Sequence, residues 1–285
     1  MKIVTDSAVD LPEEMFAQYD IERLPLQIVF GNESLRSGVD IQPEEFYRRL
    51  AASKENLPTT SQPSSGDFVE LYRRVGQVDR DILSIHISSG LSGTLNSAQV
   101  AAKQCPDLNI TLVDTKTLSG AEGFQVIAAA QALRRGWPLD KILQRMKEVG
   151  EGTDIFYTLD TLYYLQKGGR IGRVQALAGA LLNLKPVITV DKGPGTYVRS
   201  GSTRSFSKSL VMIADLVHEK MQSRPAWVHV LHSDSPAQAQ IMADLIVARM
   251  PDVHLTRGQV VPVLGVHVGP GCVGAVCGPA DILAA

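Results

Sequence analysis

Asp81-Ile82-Leu83-Ser84-Ile85-His86 leads through Ser88-Ser89-Gly90-Leu91-Ser92-Gly93-Thr94 into Leu95-Asn96-Ser97-Ala98-Gln99-Val100-Ala101-Ala102-Lys103. The first block is a short apolar run that reads as a buried strand, and the last reads as a helix. In an open α/β sheet such a junction lies where strand carboxyl ends and helix N-termini converge, which supplies free N–H groups and the positive end of a helix dipole. Three serines, two glycines and a threonine in the connection add hydroxyl donors and let the backbone approach a ligand closely. The stretch reads as an anion cradle. A Ser-capped turn with no ligand accounts for the same residues equally well.

The flanking segments repeat the alternation of strand and helix. Upstream, Ile3-Val4 reads as a strand ending at Thr5-Asp6-Ser7, and Leu11-Pro12-Glu13-Glu14 opens a helix with proline near its first turn. Leu24 to Phe30 reads as a second strand and Pro43 to Leu50 as a second helix. Leu57-Pro58-Thr59-Thr60-Ser61-Gln62-Pro63-Ser64-Ser65 is a polar loop stiffened by two prolines, a second hydroxyl-rich connection, with helix resuming at Asp67. Downstream come strand Ile110 to Asp114, helices Ala121 to Arg135 and Leu139 to Val149, and strand Asp154 to Leu159. The expected fold class is α/β: residues 1–150 form a mostly parallel three-layer α/β/α domain carrying the hydroxyl-rich loops. The boundary is placed near Gly150-Glu151-Gly152, so that residues 151–285 form a second, α+β domain.

In that second part a glycine pair ends a short helix at Lys167-Gly168-Gly169-Arg170, and Arg173 follows three residues later. Val174 to Leu184 is uncharged and reads as a core helix, whose small residues could also leave room for a lipid chain. Val187 to Val190 and Tyr197-Val198 flank a hairpin turn, Arg204 precedes a helix from Ser205 to Met221, and strand Trp227 to Leu231 and helix Pro236 to Met250 follow. From Gly258 to Ala280 no Asp, Glu, Lys or Arg occurs, a length that could span a bilayer as a helix. The prolines and glycines in it, with Val260-Val261 and Val263-Leu264, favour buried sheet, which places His267 on an apolar strand.

Composition narrows the classes of function. The 285 residues are 44% hydrophobic and 20% charged with a net charge of −2, the profile of an ordinary soluble protein with no basic excess for nucleic acid. Cys105, Cys272 and Cys277 are odd in number and lack zinc spacing, so no disulfide framework and no metal site is expected. The N-terminus lacks the apolar core of a signal peptide, which points to a cytoplasmic protein. Gly269-Pro270-Gly271-Cys272-Val273-Gly274 satisfies a dinucleotide fingerprint in letters only, because too little chain follows it for the helix and acidic strand end that fold needs. There is no Gly-Lys-Ser/Thr phosphate loop. Gly90-Leu91-Ser92-Gly93-Thr94 resembles a nucleophile elbow but has Thr94 in place of the last glycine.

Taken in order, Thr5-Asp6-Ser7, Thr60-Ser61-Gln62-Pro63-Ser64, Ser88 to Thr94, Lys167-Gly168-Gly169-Arg170-Ile171 and His267-Val268-Gly269-Pro270-Gly271 resemble the DegV family, whose better-understood members are fatty-acid-binding subunits of bacterial fatty acid kinases. The resemblance implies a non-catalytic two-domain protein that needs no cofactor. It would hold one long-chain fatty acid, whose carboxylate is bound by Thr60, Ser61, Ser92, Gly93, Thr94 and His267. It further implies a separate ATP-dependent kinase subunit that phosphorylates that carboxylate, with Arg170, Arg173 and Arg204 as contacts for phosphate or partner, and it is compatible with transient membrane contact. Gly172 and Ser205-Phe206-Ser207 depart from the family's usual serine and more basic run. Two other readings stay open on the residues alone: an acyl hydrolase with Ser92 as nucleophile and His267 as base, and a carrier or sensor of another small anion.

Overall fold

A computed structural model describes residues 1–53, 56–172, 184–222 and 224–282. The chain begins with β1 (Lys2–Asp6), α1 (Glu13–Gln18) and β2 (Ile21–Leu24), then β3 (Gln27–Phe30), β4 (Glu33–Arg36), α2 (Pro43–Ala52) and β5 (Thr59–Ser61). It continues through α3 (Ser65–Gly76), β6 (Asp81–His86), α4 (Thr94–Lys103), β7 (Asn109–Asp114), α5 (Ser119–Arg134) and α6 (Leu139–Gly152). The remainder comprises β8 (Asp154–Thr158), α7 (Tyr163–Lys167), β9 (Lys185–Asp191), β10 (Thr196–Thr203), α8 (Phe206–Met221), β11 (Ala226–His232), α9 (Pro236–Arg249), β12 (His254–Gln259), α10 (Pro262–Val268) and β13 (Val273–Pro279).

The strands that alternate with helices form the parallel sheet that the sequence pattern requires, in the order β2-β1-β6-β7. β10-β9-β8-β13-β11-β12 form a mixed sheet in which the β11–β12 pair is parallel and the other pairs are antiparallel. The expected hairpin is the β9–β10 pair. α5 lies against β1 of the first sheet and against β8 and β13 of the second. Burial on both sides explains why it carries no polar stripe: from Ser119 to Ala132 every residue is buried. Its Phe124 ring stacks on Trp227 at 3.9 Å between centroids.

Three sequence expectations are corrected. Leu24 to Phe30 is not one strand: Pro25, which has no N–H to give, separates β2 in the parallel sheet from β3, which joins the small antiparallel sheet β4-β3-β5. Thr59 to Ser61 is not loop but β5, paired with β3 through Thr60 opposite Ile28. His267 is not on a strand but on α10, which Pro262 starts in its first turn and Gly269, at φ 68°, ends. All seven residues of α10 are buried, and this packing overrides the strand preference of its valines. Val174 to Leu184 falls outside the described residues except for Leu184.

Among the described residues no helix is long and apolar enough to cross a membrane, and no cluster of His, Cys, Asp and Glu could hold a metal ion. The three cysteines are buried free thiols.

Candidate functional site

The Ser88–Thr94 connection is anchored from beneath by Asp6 at the carboxyl end of β1. The fully buried Asp6 carboxylate accepts the Ala8 N–H at 2.9 Å and the Ile87 N–H at 3.0 Å, and lies 3.1 Å from His86 Nδ1. His86 Nε2 is 2.7 Å from Ser84 Oγ, which is 2.8 Å from the Tyr72 hydroxyl. This series has the residue types of a catalytic triad, but all four side chains are buried, and it ties β1, β6 and α3 together. Ser7, the neighbour of Asp6, accepts the Leu26 N–H at 2.9 Å. Thr5-Asp6-Ser7 is therefore a framework for the connection that follows β6.

Within that connection the hydroxyls divide their tasks. Ser88 donates to the Gly195 carbonyl at 2.8 Å, and Ser89 donates to Asp114, so both hold neighbouring segments in place. Ser92 and Thr94 share a hydrogen bond of 2.8 Å between their hydroxyl oxygens, at the N-terminus of α4, where Gly93 is the cap. Gly93 is pressed against Gln62: a Cβ there would stand 2.8 Å from Gln62 Nε2. The two hydroxyl-rich segments thus touch, with Gln62 directly following β5.

From the other side α10 brings His267 to β5. His267 Nε2 lies 2.9 Å from Thr60 Oγ1, and the ring is 8% exposed. Its Nδ1 is buried without a partner among the described residues. Burial, reinforced by the positive charge of Arg170, pushes the imidazole down to about 3, so the ring is neutral at neutral pH. Gly168 makes this close approach sterically feasible: a Cβ at that position would lie 2.3 Å from His267 Nδ1. Arg170 donates from Nη1 to the Gly168 carbonyl at 2.7 Å.

Two cavities flank α10. One, of about 460 Å³, is lined by Thr60, Tyr164, Lys167, Gly168, Arg170 and His267 among others. The other is apolar and narrow, about 40 Å³, and its walls include Leu118, Tyr157, Tyr197, Leu264, Val268 and Cys272. Leu264 and Val268, one helical turn apart, face the apolar cavity, while Val266 and His267 border the polar one.

The structure accordingly joins Thr60 with His267, keeps exposed Ser61 on β5, and sets Gly93, which lies between the hydrogen-bonded Ser92 and Thr94, next to Gln62. Arg170 borders the polar cavity, whereas Arg204 is exposed ahead of α8 and is not among that cavity's lining residues. Arg173 lies outside the described residues. Ser92 and His267 do not form a hydrogen-bonded dyad, because each is engaged by a threonine. Tyr157 was not singled out by sequence. The signal was present in β8, where Ile155 and Tyr157 alternate with Phe156, so that the first two line the apolar cavity and Phe156 packs in the core with α8 and α9.

A family model described as "Uncharacterised protein, DegV family" matches residues 1–279. A DegV domain-containing protein of Deinococcus radiodurans is 37% identical over 278 residues, covering 97% of this chain and 95% of the relative. Among solved structures, one described as "Fatty Acid Binding of a DegV family Protein from Thermus thermophilus" matches with a TM-score of 0.90 at 31% identity, over 98% of this chain and 99% of that one. Another, described as "DegV, a fatty acid binding protein from Bacillus subtilis", matches with a TM-score of 0.88 at 31% identity, over 97% and 98%. The agreement of sequence and architecture over almost the full length places this chain in the DegV family.

Proposed function

We propose that this protein binds a long-chain fatty acid, holding the carboxylate at Thr60, Ser61, Ser92, Gly93, Thr94 and His267 and directing the chain along the apolar side of α10. The observation that carries this reading is the pairing of Thr60 with His267 on a helix whose other side borders an apolar cavity. Solved relatives described as fatty-acid-binding support it. Burying about fifteen methylenes would contribute roughly 12 kcal/mol before ordering costs. A charge-assisted hydrogen bond adds about 1.5–3 kcal/mol, so the chain supplies the affinity and the head group the orientation. Native mass spectrometry of gently purified protein tests the reading. A co-purified fatty acid is expected, and protein that carries none and takes up none on addition refutes it.

The finer reading is that the protein is cytoplasmic, does not act as an enzyme alone, and presents the carboxylate to a separate ATP-dependent kinase subunit for acyl phosphate formation. The polar cavity bordered by Lys167 and Arg170 supports this, since it offers positive charge beside the head-group position. Incubation of loaded protein with ATP and such a kinase should yield acyl phosphate, trapped as a hydroxamate. No product with any kinase of that class would remove the presentation step while leaving fatty acid binding intact. A Ser92–His267 hydrolase draws no support from the geometry. Labelling of Ser92 by a fluorophosphonate would revive it.

A further inference from the structure

α10 carries His267, yet it opens without a capping side chain of its own. Val261, which precedes the helix, has no side-chain oxygen, and Pro262, the first residue, has no N–H. The caps come from distant parts of the chain. Asp10, in the connection between β1 and α1, accepts the Val261 N–H on Oδ1 at 2.7 Å, and Ser37, which directly follows β4, accepts the Val263 N–H on Oγ at 3.1 Å. Both are almost fully buried, 2% and 1% exposed. Asp10 is itself held, because its other oxygen accepts the Ser119 hydroxyl at the start of α5. The Tyr47 hydroxyl on α2 adds a third tie by donating to the Val260 carbonyl at 3.1 Å.

A helix of seven residues is too short to be stable by itself, so its place is set by what holds it. Val263 and His267 are four residues apart and lie one turn apart on the same side of α10. A shift of the clamped end is therefore passed along the helix to the imidazole. The contact that would register the shift is the 2.9 Å approach of His267 Nε2 to Thr60 Oγ1, which weakens steeply with distance and angle. We propose that Asp10 and Ser37 are positioning residues of the fatty-acid site: they fix the start of α10 and, through it, the place of His267 beside Thr60. This rests on the fatty-acid-binding reading and deepens it by naming residues that act on the head-group site through His267.

A double-mutant cycle tests it. Stearic acid is titrated by calorimetry into wild type, Ser37→Ala, Asp10→Ala and Asp10→Asn, each also in a Thr60→Val background, and thermal unfolding without ligand verifies that each variant is folded. Ser37→Ala and Asp10→Ala should weaken binding about three- to tenfold, the reach of one net hydrogen bond. Asp10→Asn, whose amide oxygen can still accept the Val261 N–H, should stay within twofold of wild type. In the Thr60→Val background the contact that α10 positions is already gone, so both losses should shrink to less than twofold. No described hydrogen bond links Asp10 or Ser37 to Thr60, so residues with a merely structural role would give the same losses in both backgrounds. Ser37→Ala removes one hydroxyl only, and it decides the question even if Asp10→Ala fails to fold. Undiminished binding in Ser37→Ala, or equal losses in the two backgrounds, overturns the proposal and leaves fatty acid binding standing. If wild type binds no stearic acid, the fatty-acid-binding reading fails, and the proposal falls with it.

Discussion

Gly168 and Gly169 are adjacent, yet alanine should damage the protein through different physics at each position. At Gly168 the backbone is ordinary right-handed helical, φ −74°, so alanine meets no conformational objection. Its Cβ, however, would stand 2.3 Å from His267 Nδ1. Non-bonded heavy atoms rest at about 3.5 Å, so the imidazole or the α7 end must retreat by about 1 Å. The ring is buried and is no flexible chain end, which puts the overpacking cost at about 1–3 kcal/mol. If the ring moves, its 2.9 Å contact with Thr60 lengthens past hydrogen-bond range. At Gly169 nothing lies within 4 Å of a Cβ, but φ is +71°, so alanine costs about 1 kcal/mol of backbone strain and leaves His267 untouched. Urea unfolding gives the two stability losses, and calorimetric titration with stearic acid gives affinity. Gly168→Ala should weaken binding at least fivefold, as expected for a lost head-group contact of about 1 kcal/mol, and Gly169→Ala should leave binding within twofold of wild type. Equal affinity in Gly168→Ala and wild type would refute the role given to the His267 ring position.

Three further outcomes follow from other contacts. Thr60→Val keeps the shape but strips His267 Nε2 of its partner, so it should cost about 1–3 kcal/mol in denaturant unfolding and weaken stearic acid, whereas Thr60→Ser should restore most of both. Ser64→Ala breaks the capping box with Asp67 at the start of α3, for about 1 kcal/mol and no change in ligand affinity. Burial pushes the Asp10 carboxyl up to about 7, against the opposing hydrogen bonds from Ser119 and Val261, so the folded state holds a proton that the unfolded chain releases in its ordinary range near 3.8. That stabilisation is present at low pH and lost as pH rises through this window. The stability of wild type minus that of Asp10→Asn should therefore fall between about pH 4 and pH 8, and a flat difference would count against the burial argument.

Much of the framework could be read because local pattern and tertiary demand agree. β6 is a run of apolar residues before a hydroxyl-rich turn and a helix, and only a sheet covered on both faces buries such a run. Ser64 and Asp67 spell out the start of α3. The pattern around α10 favours strand because of valines at 260, 261, 263, 266 and 268; Pro262 and the four-residue spacing of Leu264 and Val268 are the contrary signals. The Thr60–His267 contact spans 207 residues of sequence, so no local pattern could supply it, and only the family resemblance set those residues together.

The charge arrangement bears on how such a site would use a carboxylate. With the imidazole pushed down to about 3, a carboxylate drawn to Thr60 and His267 would meet neutral donors, and the nearby positive charge would be Arg170. That guanidinium is fixed by one bond to the Gly168 carbonyl and retains other donors, so its field is held in place without an ion pair to a protein acid among the described contacts. Neutral donors stabilise a carboxylate less than a bidentate arginine would, and so quench its nucleophilicity less. In the proposed reading α10 would separate the two requirements: Leu264 and Val268 border the apolar cavity, on the side where a chain would gain affinity, and Val266 and His267 border the polar one, where its head group would be oriented. Sliding such a chain by one methylene would change little against an apolar wall but would break contacts at Thr60 and His267. On that reading the weaker polar set would decide where the ligand stops, although the apolar set would decide how tightly it is held.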